Sequence, residues 1–156
     1  MPDEITVRAE AADSLIAVRL VDAMVTEMDQ LYGQAPGGGV GSGASPSDFT
    51  PPTGEFLVIY ADGKPVAGGG VKRDEDGVAE IKRMYVVPAA RRRGLGQQLL
   101  EALEEAARGL GYARIRLDTG ARQPHAQAMY ERAGYHPIDN YNGNRQASWW
   151  GEKILR

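Results

Sequence analysis

The sequence has no cysteine, and only two histidines, two phenylalanines and two tryptophans among 156 residues. Without cysteine there is no disulfide, no thiolate nucleophile and no cysteine-ligated metal. His125 and His136 are too few for an imidazole metal site, and neither forms a Ser/His/Asp arrangement with Ser14 or Ser148; no metal is expected. No apolar run approaches the roughly 20 residues that span a bilayer, so no membrane partner is expected. The opening MPDEITVRAEAAD is acidic and lacks the apolar core of a secretory leader, which makes the cytoplasm the expected location. A surplus of basic charge is missing too. The net charge of −3 argues against a general polyanion binder, and no nucleic-acid partner is expected. What remains is ordinary globular composition, 42% hydrophobic and 25% charged, at a length suited to one domain over residues 1–156.

Periodicity orders the chain. EITVRAEAAD alternates from Ile5 as a short strand. Asp13 is the expected cap of a helix running to about Tyr32, with Leu15, Val18, Val21, Val25 and Met28 as its apolar stripe. The Gly/Pro/Ser-rich stretch Gly33 to Gly54 reads as a flexible loop, either an indifferent linker or a lid. EFLVIYADGKPVAGGGV is a hairpin about Asp62-Gly63, and a turn at RDEDG returns the chain through VAEIKRMYVV. A helix follows from about Gly94 to Leu110, with Leu95, Leu99, Leu103, Ala106 and Leu110 on one face, and Gly111 ends it. YARIRLDTG is a buried-looking strand. Pro124 opens a short helix that closes at Gly134, and strands near YHPI and SWWGEKIL finish the chain. The order β-α-βββ-α-β-α-ββ predicts an α/β (α+β) fold: a mixed, mostly antiparallel sheet flanked by helices.

Between the third strand and the second helix stands RRRGLG, Arg91 to Gly96. A strand that turns directly into a helix aims unpaired N–H groups and the positive end of the helix dipole at the turn, which favours an anion. Gly94 and Gly96 allow close approach to main chain, and Arg91, Arg92 and Arg93 add charge suited to phosphate. The turn fails the G-x-x-x-x-G-K-[ST] phosphate-loop pattern and, lacking a third glycine, the dinucleotide fingerprint. Alone it is a weak signal, and a solvated basic turn is the better reading of it than a phosphate cradle.

Its surroundings decide. Arg91-x-x-Gly94-x-Gly96 follows MYVVP, opens an amphipathic helix, and is followed one strand later by LDTGARQPHAQAMYERAGY. This arrangement resembles the GNAT superfamily of N-acetyltransferases, whose acyl-CoA signature is R/Q-x-x-G-x-G/A. The likeness is close from about Glu80 to Tyr135 and rests on element order before that. It implies a sheet splayed at its centre and acetyl-CoA as cosubstrate. The CoA pyrophosphate would rest on main-chain N–H groups of Arg91, Arg92, Arg93, Gly94, Leu95, Gly96 and Gln97. The pantetheine arm would run along Met84, Tyr85, Val86 and Val87 like an added strand. Gln123 stands where the family places an asparagine that bonds that arm. Tyr130 matches the tyrosine near the thioester sulfur, a proton or hydrogen-bond donor to the departing thiolate; otherwise it is a core tyrosine. Glu80 is the candidate base for the attacking amine, or else a strand glutamate paired with Lys82, with Glu55 and Asp48 as substitutes. An N–H near Val86 would stabilise the oxyanion.

The resemblance implies direct transfer in a ternary complex to an amine, either a small primary amine or amino acid, or a peptide amine. Tyr32, Phe49, Tyr141, Asn142, Trp149 and Trp150 fall where the family binds its acceptor. The rival is a non-catalytic acyl-CoA-binding sensor or scaffold of the same fold. An exposed final strand would favour a homodimer.

Overall fold

Asp62 and Gly63 both hold positive φ, 50° and 81°, the twist that a two-residue hairpin requires. They join β2 (Glu55–Ala61) to β3 (Lys64–Glu75), and a turn through Gly77 leads into β4 (Val78–Val86). The computed structural model describes residues 3–33 and 44–156. The remaining elements are β1 (Ile5–Glu10), α1 (Leu15–Tyr32), α2 (Leu95–Gly109), β5 (Arg114–Thr119), α3 (Pro124–Arg132), β6 (His136–Pro137) and β7 (Trp149–Ile154). They follow the expected order. The described strands form one sheet, β1-β2-β3-β4-β5-β7-β6. Only β4 and β5 run parallel; the other neighbours are antiparallel. The final strand β7 is not the border. The two-residue β6 pairs with Gly151 and Glu152 outside it.

Alternation along β2 assigns the two layers. Phe56, Val58 and Tyr60 pack with Ala17 and Leu20 of α1, whereas Leu57 and Ile59 join Leu95, Leu99, Leu100 and Leu103 of α2 and Tyr130 of α3. The cap of α1 is Ser14, not Asp13: its hydroxyl accepts from Ala17 N at 3.1 Å. The buried face is Ala17, Leu20, Met24 and Met28, while Leu15 and Val18 are 64% and 39% exposed. The expected stripe was therefore rotated about the helix axis. In α2, Glu104 is buried in the face that also holds Leu103 and Ala107, accepting from Tyr135 Oη at 2.8 Å and Lys153 Nζ at 3.0 Å. Ala106 and Leu110, expected on that face, are half-buried.

The reason for the rotation lies in β3. Gly68, Gly69 and Gly70 place no side chain between the layers, so Leu20, Leu103 and Phe49 press onto bare backbone. A Cβ at Gly70 would lie less than 3.0 Å from the Phe49 ring, and one at Gly69 would lie 3.2 Å from Leu103 Cδ1. Phe49 comes from a 3-10 turn, Pro46–Phe49, within the stretch expected to be a flexible loop; residues 34–43 of that stretch lie outside the described residues. Shape at the glycine strip, rather than hydrophobicity alone, selects the helix face.

Gly70→Ala is expected to lower stability by about 1–3 kcal/mol through overpacking, read as a lower urea midpoint. Gly109→Ala in α2, whose Cβ would meet nothing within 4 Å, serves as the control and leaves the midpoint unchanged or raised.

Candidate active site

The backbone ladder between β4 and β5 has three steps, Val78↔Arg114, Ala79↔Ile115 and Glu80↔Arg116, and then stops. β4 continues to Val86 and β5 to Thr119 without pairing, so the sheet is splayed at its centre. The cause is local to β4. Gly68 faces Tyr85 and Gly70 faces Lys82, so β4 carries an extra residue there, and Arg83 takes φ 61°. Such a bulge bends a strand and sharpens its twist. Arg83 is held there by the carbonyl of Ala44 at 2.7 Å and by the Phe49 ring 4.9 Å below its guanidinium.

Met84, Tyr85 and Val86 form the parted end of β4, and Val87 follows it. Val87 N–H is spent on Val66 O at 2.9 Å, toward β3. Strand alternation sends the Val86 N–H the other way, into the opening. Arg91 Nε caps the Val86 carbonyl at 3.0 Å.

At the far end of the opening α2 begins. Gly94 is left-handed at φ 76° and serves as its cap residue. The first helical bond runs from Gln98 N to Gly94 O at 3.1 Å, which leaves the N–H groups of Leu95, Gly96 and Gln97 ahead of it. The arginines are less available than the sequence implies. Arg91 grips Glu27 of α1 with two bonds of 2.8 Å and lies 5.6 Å over the Tyr85 ring. Arg93 pairs with Asp3. Arg92 is exposed, with φ 67°, and has no side-chain partner among the described residues. Gly94 needs its glycine for backbone reasons; Gly96 does not, since a Cβ there would meet Met129 Sδ at an ordinary 3.5 Å.

Tyr130 reaches the opening from α3. It is 7% exposed, stacked 6.3 Å from Trp149, with its hydroxyl 3.8 Å from Met84 Sδ. Burial, and then the charge of Asp118, push its pKa well above the ordinary phenol value, so the hydroxyl stays protonated. Glu80 lies at the last paired step, 3% exposed on the opposite face of the sheet. It accepts from Tyr141 Oη at 2.7 Å and Asn142 Nδ2 at 3.1 Å, with Lys72 and Lys82 each 3.7 Å away. Its surroundings therefore contain the Lys82 pairing together with Lys72, Tyr141 and Asn142. Gln123 sits at the N-terminus of α3 without capping it; its Oε1 accepts from Tyr32 Oη at 3.2 Å.

The expected acceptor residues divide. Tyr32 abuts Gly120 so closely that no Cβ fits there, joining the end of α1 to the β5–α3 turn. Tyr141 and Asn142 face Glu80, and Trp150 Nε1 donates to Asn142 Oδ1 at 3.0 Å. Phe49 is core, packed edge-on to Phe56. Asp48 is committed to its own turn through Ser45 N at 2.8 Å, while Glu55 starts β2. His125 and His136 are exposed. Sequence reasoning missed Glu27 and Asp118. Neither belongs to a motif; the clustered asparagines of NYNGN, which fold back over Asp118, were the available signal.

Below the opening Arg116 binds Glu152 at 2.6 Å and Asp74 at 2.9 Å, holding β5 to β7 and to the end of β3. Burial alone would raise the Glu152 carboxyl, but the hydrogen bond and charge of Arg116 outweigh it and hold it below its ordinary value.

The described residues thus form a mixed sheet parted beside a helix N-terminus, with a buried phenol at the gap. The acetyltransferase (GNAT) family model matches residues 18–135, and the chain belongs to that family. It is 40% identical over 81 residues to an IAA acetyltransferase of Azospirillum brasilense, covering 51% of this chain and 53% of that one. It is 34% identical over 94 residues to the uncharacterized N-acetyltransferase YjgM of Escherichia coli, covering 58% and 56%. The matched stretches thus span about half the length of these curated relatives. Among solved structures, a candidate acyl-CoA N-acyltransferase of Klebsiella pneumoniae aligns with TM-score 0.78 at 29% identity over 97% of this chain and 98% of that one. A GNAT family acetyltransferase of Elizabethkingia anophelis with acetyl-CoA bound aligns with TM-score 0.69 at 16% identity over 97% and 98%, which speaks to fold.

Two outcomes follow from these contacts. Gly94→Ala, forced into left-handed backbone, is expected to cost about 1 kcal/mol, whereas Gly96→Ala is near neutral in the same denaturation assay. Because the Glu152 carboxyl is depressed in the folded chain, its contribution is present above the unfolded carboxylate value of 4.5 and fades as pH falls through the folded value. The urea midpoint should fall from about pH 5 to pH 3, and Glu152→Gln should flatten part of that fall.

Proposed function

We propose that the chain, read as one domain over residues 1–156, moves an acetyl group from acetyl-CoA to a primary amine by direct attack. The observation that carries this is the opening between β4 and β5, which runs from the N–H groups of Leu95 to Gln97 to a buried hydroxyl on Tyr130. The backbone donors suit a diphosphate, with Arg92 and the helix dipole adding field. The unpaired edge of β4 suits an amide-bearing arm. The acetyl-CoA in the Elizabethkingia structure supports the same choice of cosubstrate.

The chemistry balances within these residues. The amine nitrogen attacks the thioester carbonyl, the Val86 N–H facing the developing oxyanion. Glu80 accepts the proton the amine loses, relayed through water. The C–S bond then breaks with its electron pair going to sulfur, and the Tyr130 hydroxyl donates a hydrogen bond to the departing thiolate. Its contact with a thioether, a weak acceptor, leaves that proton available for a better one. Glu80 returns its proton to water as the products leave. No covalent enzyme intermediate is required.

The test is thiol release from acetyl-CoA across a panel of amines, amino acids and peptides. Tyr130→Phe and Glu80→Gln are each expected to lower kcat by about 100-fold or more, with the KM for acetyl-CoA little changed. Tight acetyl-CoA binding with no turnover on any acceptor would instead favour the sensor reading.

A further inference from the structure

The two oxygens of Glu80 stand in unequal surroundings. Oε2 accepts from Tyr141 Oη at 2.7 Å and Asn142 Nδ2 at 3.1 Å, with Lys82 Nζ at 3.7 Å. Oε1 has Lys72 Nζ at 3.7 Å, beyond hydrogen-bond reach. The Asn142 amide cannot be turned over. Its Oδ1 accepts from Trp150 Nε1 at 3.0 Å and from Asn144 N at 3.1 Å, two groups that can only donate, so the NH2 must face the carboxylates. The same nitrogen donates to Asp118 Oδ2 at 2.6 Å. Asp118 lies two residues past Arg116, where the backbone ladder with β4 ends. Asn142 therefore ties Glu80, at the last paired step of β4, to Asp118, two residues beyond the end of the ladder on β5.

We propose that Tyr141 and Asn142 are positioning residues for the base: they saturate Oε2 of Glu80, fix the carboxylate against rotation, and leave Oε1 to receive the proton of the acceptor amine. A carboxylate fixed in advance needs no reorganisation when the proton moves. Lys72 and Lys82 supply the compensating charge. The Tyr141 ring is pinned in turn by the Arg116 guanidinium, 5.3 Å from its centroid. The inference rests on the reading of Glu80 as base given above.

Steady-state kinetics of the whole chain with acetyl-CoA test it, comparing Tyr141→Phe and Asn142→Ala with the parent and with each change placed in a Glu80→Gln background. Loss of a charge-assisted hydrogen bond is expected to lower kcat by about 10- to 100-fold in each single variant. The KM for acetyl-CoA stays close to the parent, the unfolding midpoint falls modestly because a buried carboxylate loses a partner, and neither change lowers kcat further once Glu80 is Gln. Full-sized effects in the Glu80→Gln background, or a rise in KM with kcat intact, would overturn the proposal. If the parent releases no thiol with any amine, the acyltransfer reading has failed and the clamp is read separately by 15N NMR. The Asn142 side-chain amide should then exchange slowly and shift in Glu80→Gln; a fast-exchanging amide indifferent to Glu80 overturns the clamp.

Discussion

The arrangement depends on β4 parting from β5 after a short parallel ladder. A sheet does not open without cause, because every unpaired donor or acceptor left in a dry gap is costly. Here the opening is forced from one side by the bulge at Arg83 and limited from the other by the grip of β7 along the whole of β5. The bulged strand bends, its neighbour cannot follow, and the gap between them is the space that the site residues border. Arg83 in left-handed backbone is the local cost, offset by its carbonyl and aromatic contacts.

The electrostatics divide between the two ends of this gap. At the helix end, Arg91 and Arg93 are engaged by Glu27 and Asp3, so attraction for an anion falls mainly to backbone dipoles and Arg92. Arg91 becomes a buckle, joining α1 to the mouth of α2 while capping Val86. At the ladder end, acidic groups on β4, β5 and β7 interleave with Lys72, Lys82 and Arg116, and the asparagine-rich turn lies across them. Tyr32 fastens the end of α1 to the β5–α3 turn by packing against Gly120 and bonding Gln123.

Much of this was legible in the sequence. Strand alternation, the Asp62-Gly63 turn and Pro124 gave the element order, because each is set by short-range chemistry. The signature glycines located the helix mouth for the same reason. The buried face of α1 was not legible: Ala17 and Met24 are less distinctive than Leu15 and Val18, and they are buried on the face that sets Leu20 against Gly68 of β3. Nor was the use of the arginines, since their partners Glu27 and Asp3 are 64 and 90 residues away along the chain. Positive φ at Arg83 leaves no trace in residue type, so the bulge, and with it the reason for the opening, became visible only in three dimensions.

Of the two borders of the sheet, the one at β6 offers little to a foreign strand. Sheets grow into fibres by adding strands to a row of free donors. This border is two residues long, and Pro137 has no N–H to offer. A chain rich in aliphatic strands is thereby given a frontier at which stacking of foreign strands finds almost nothing to copy.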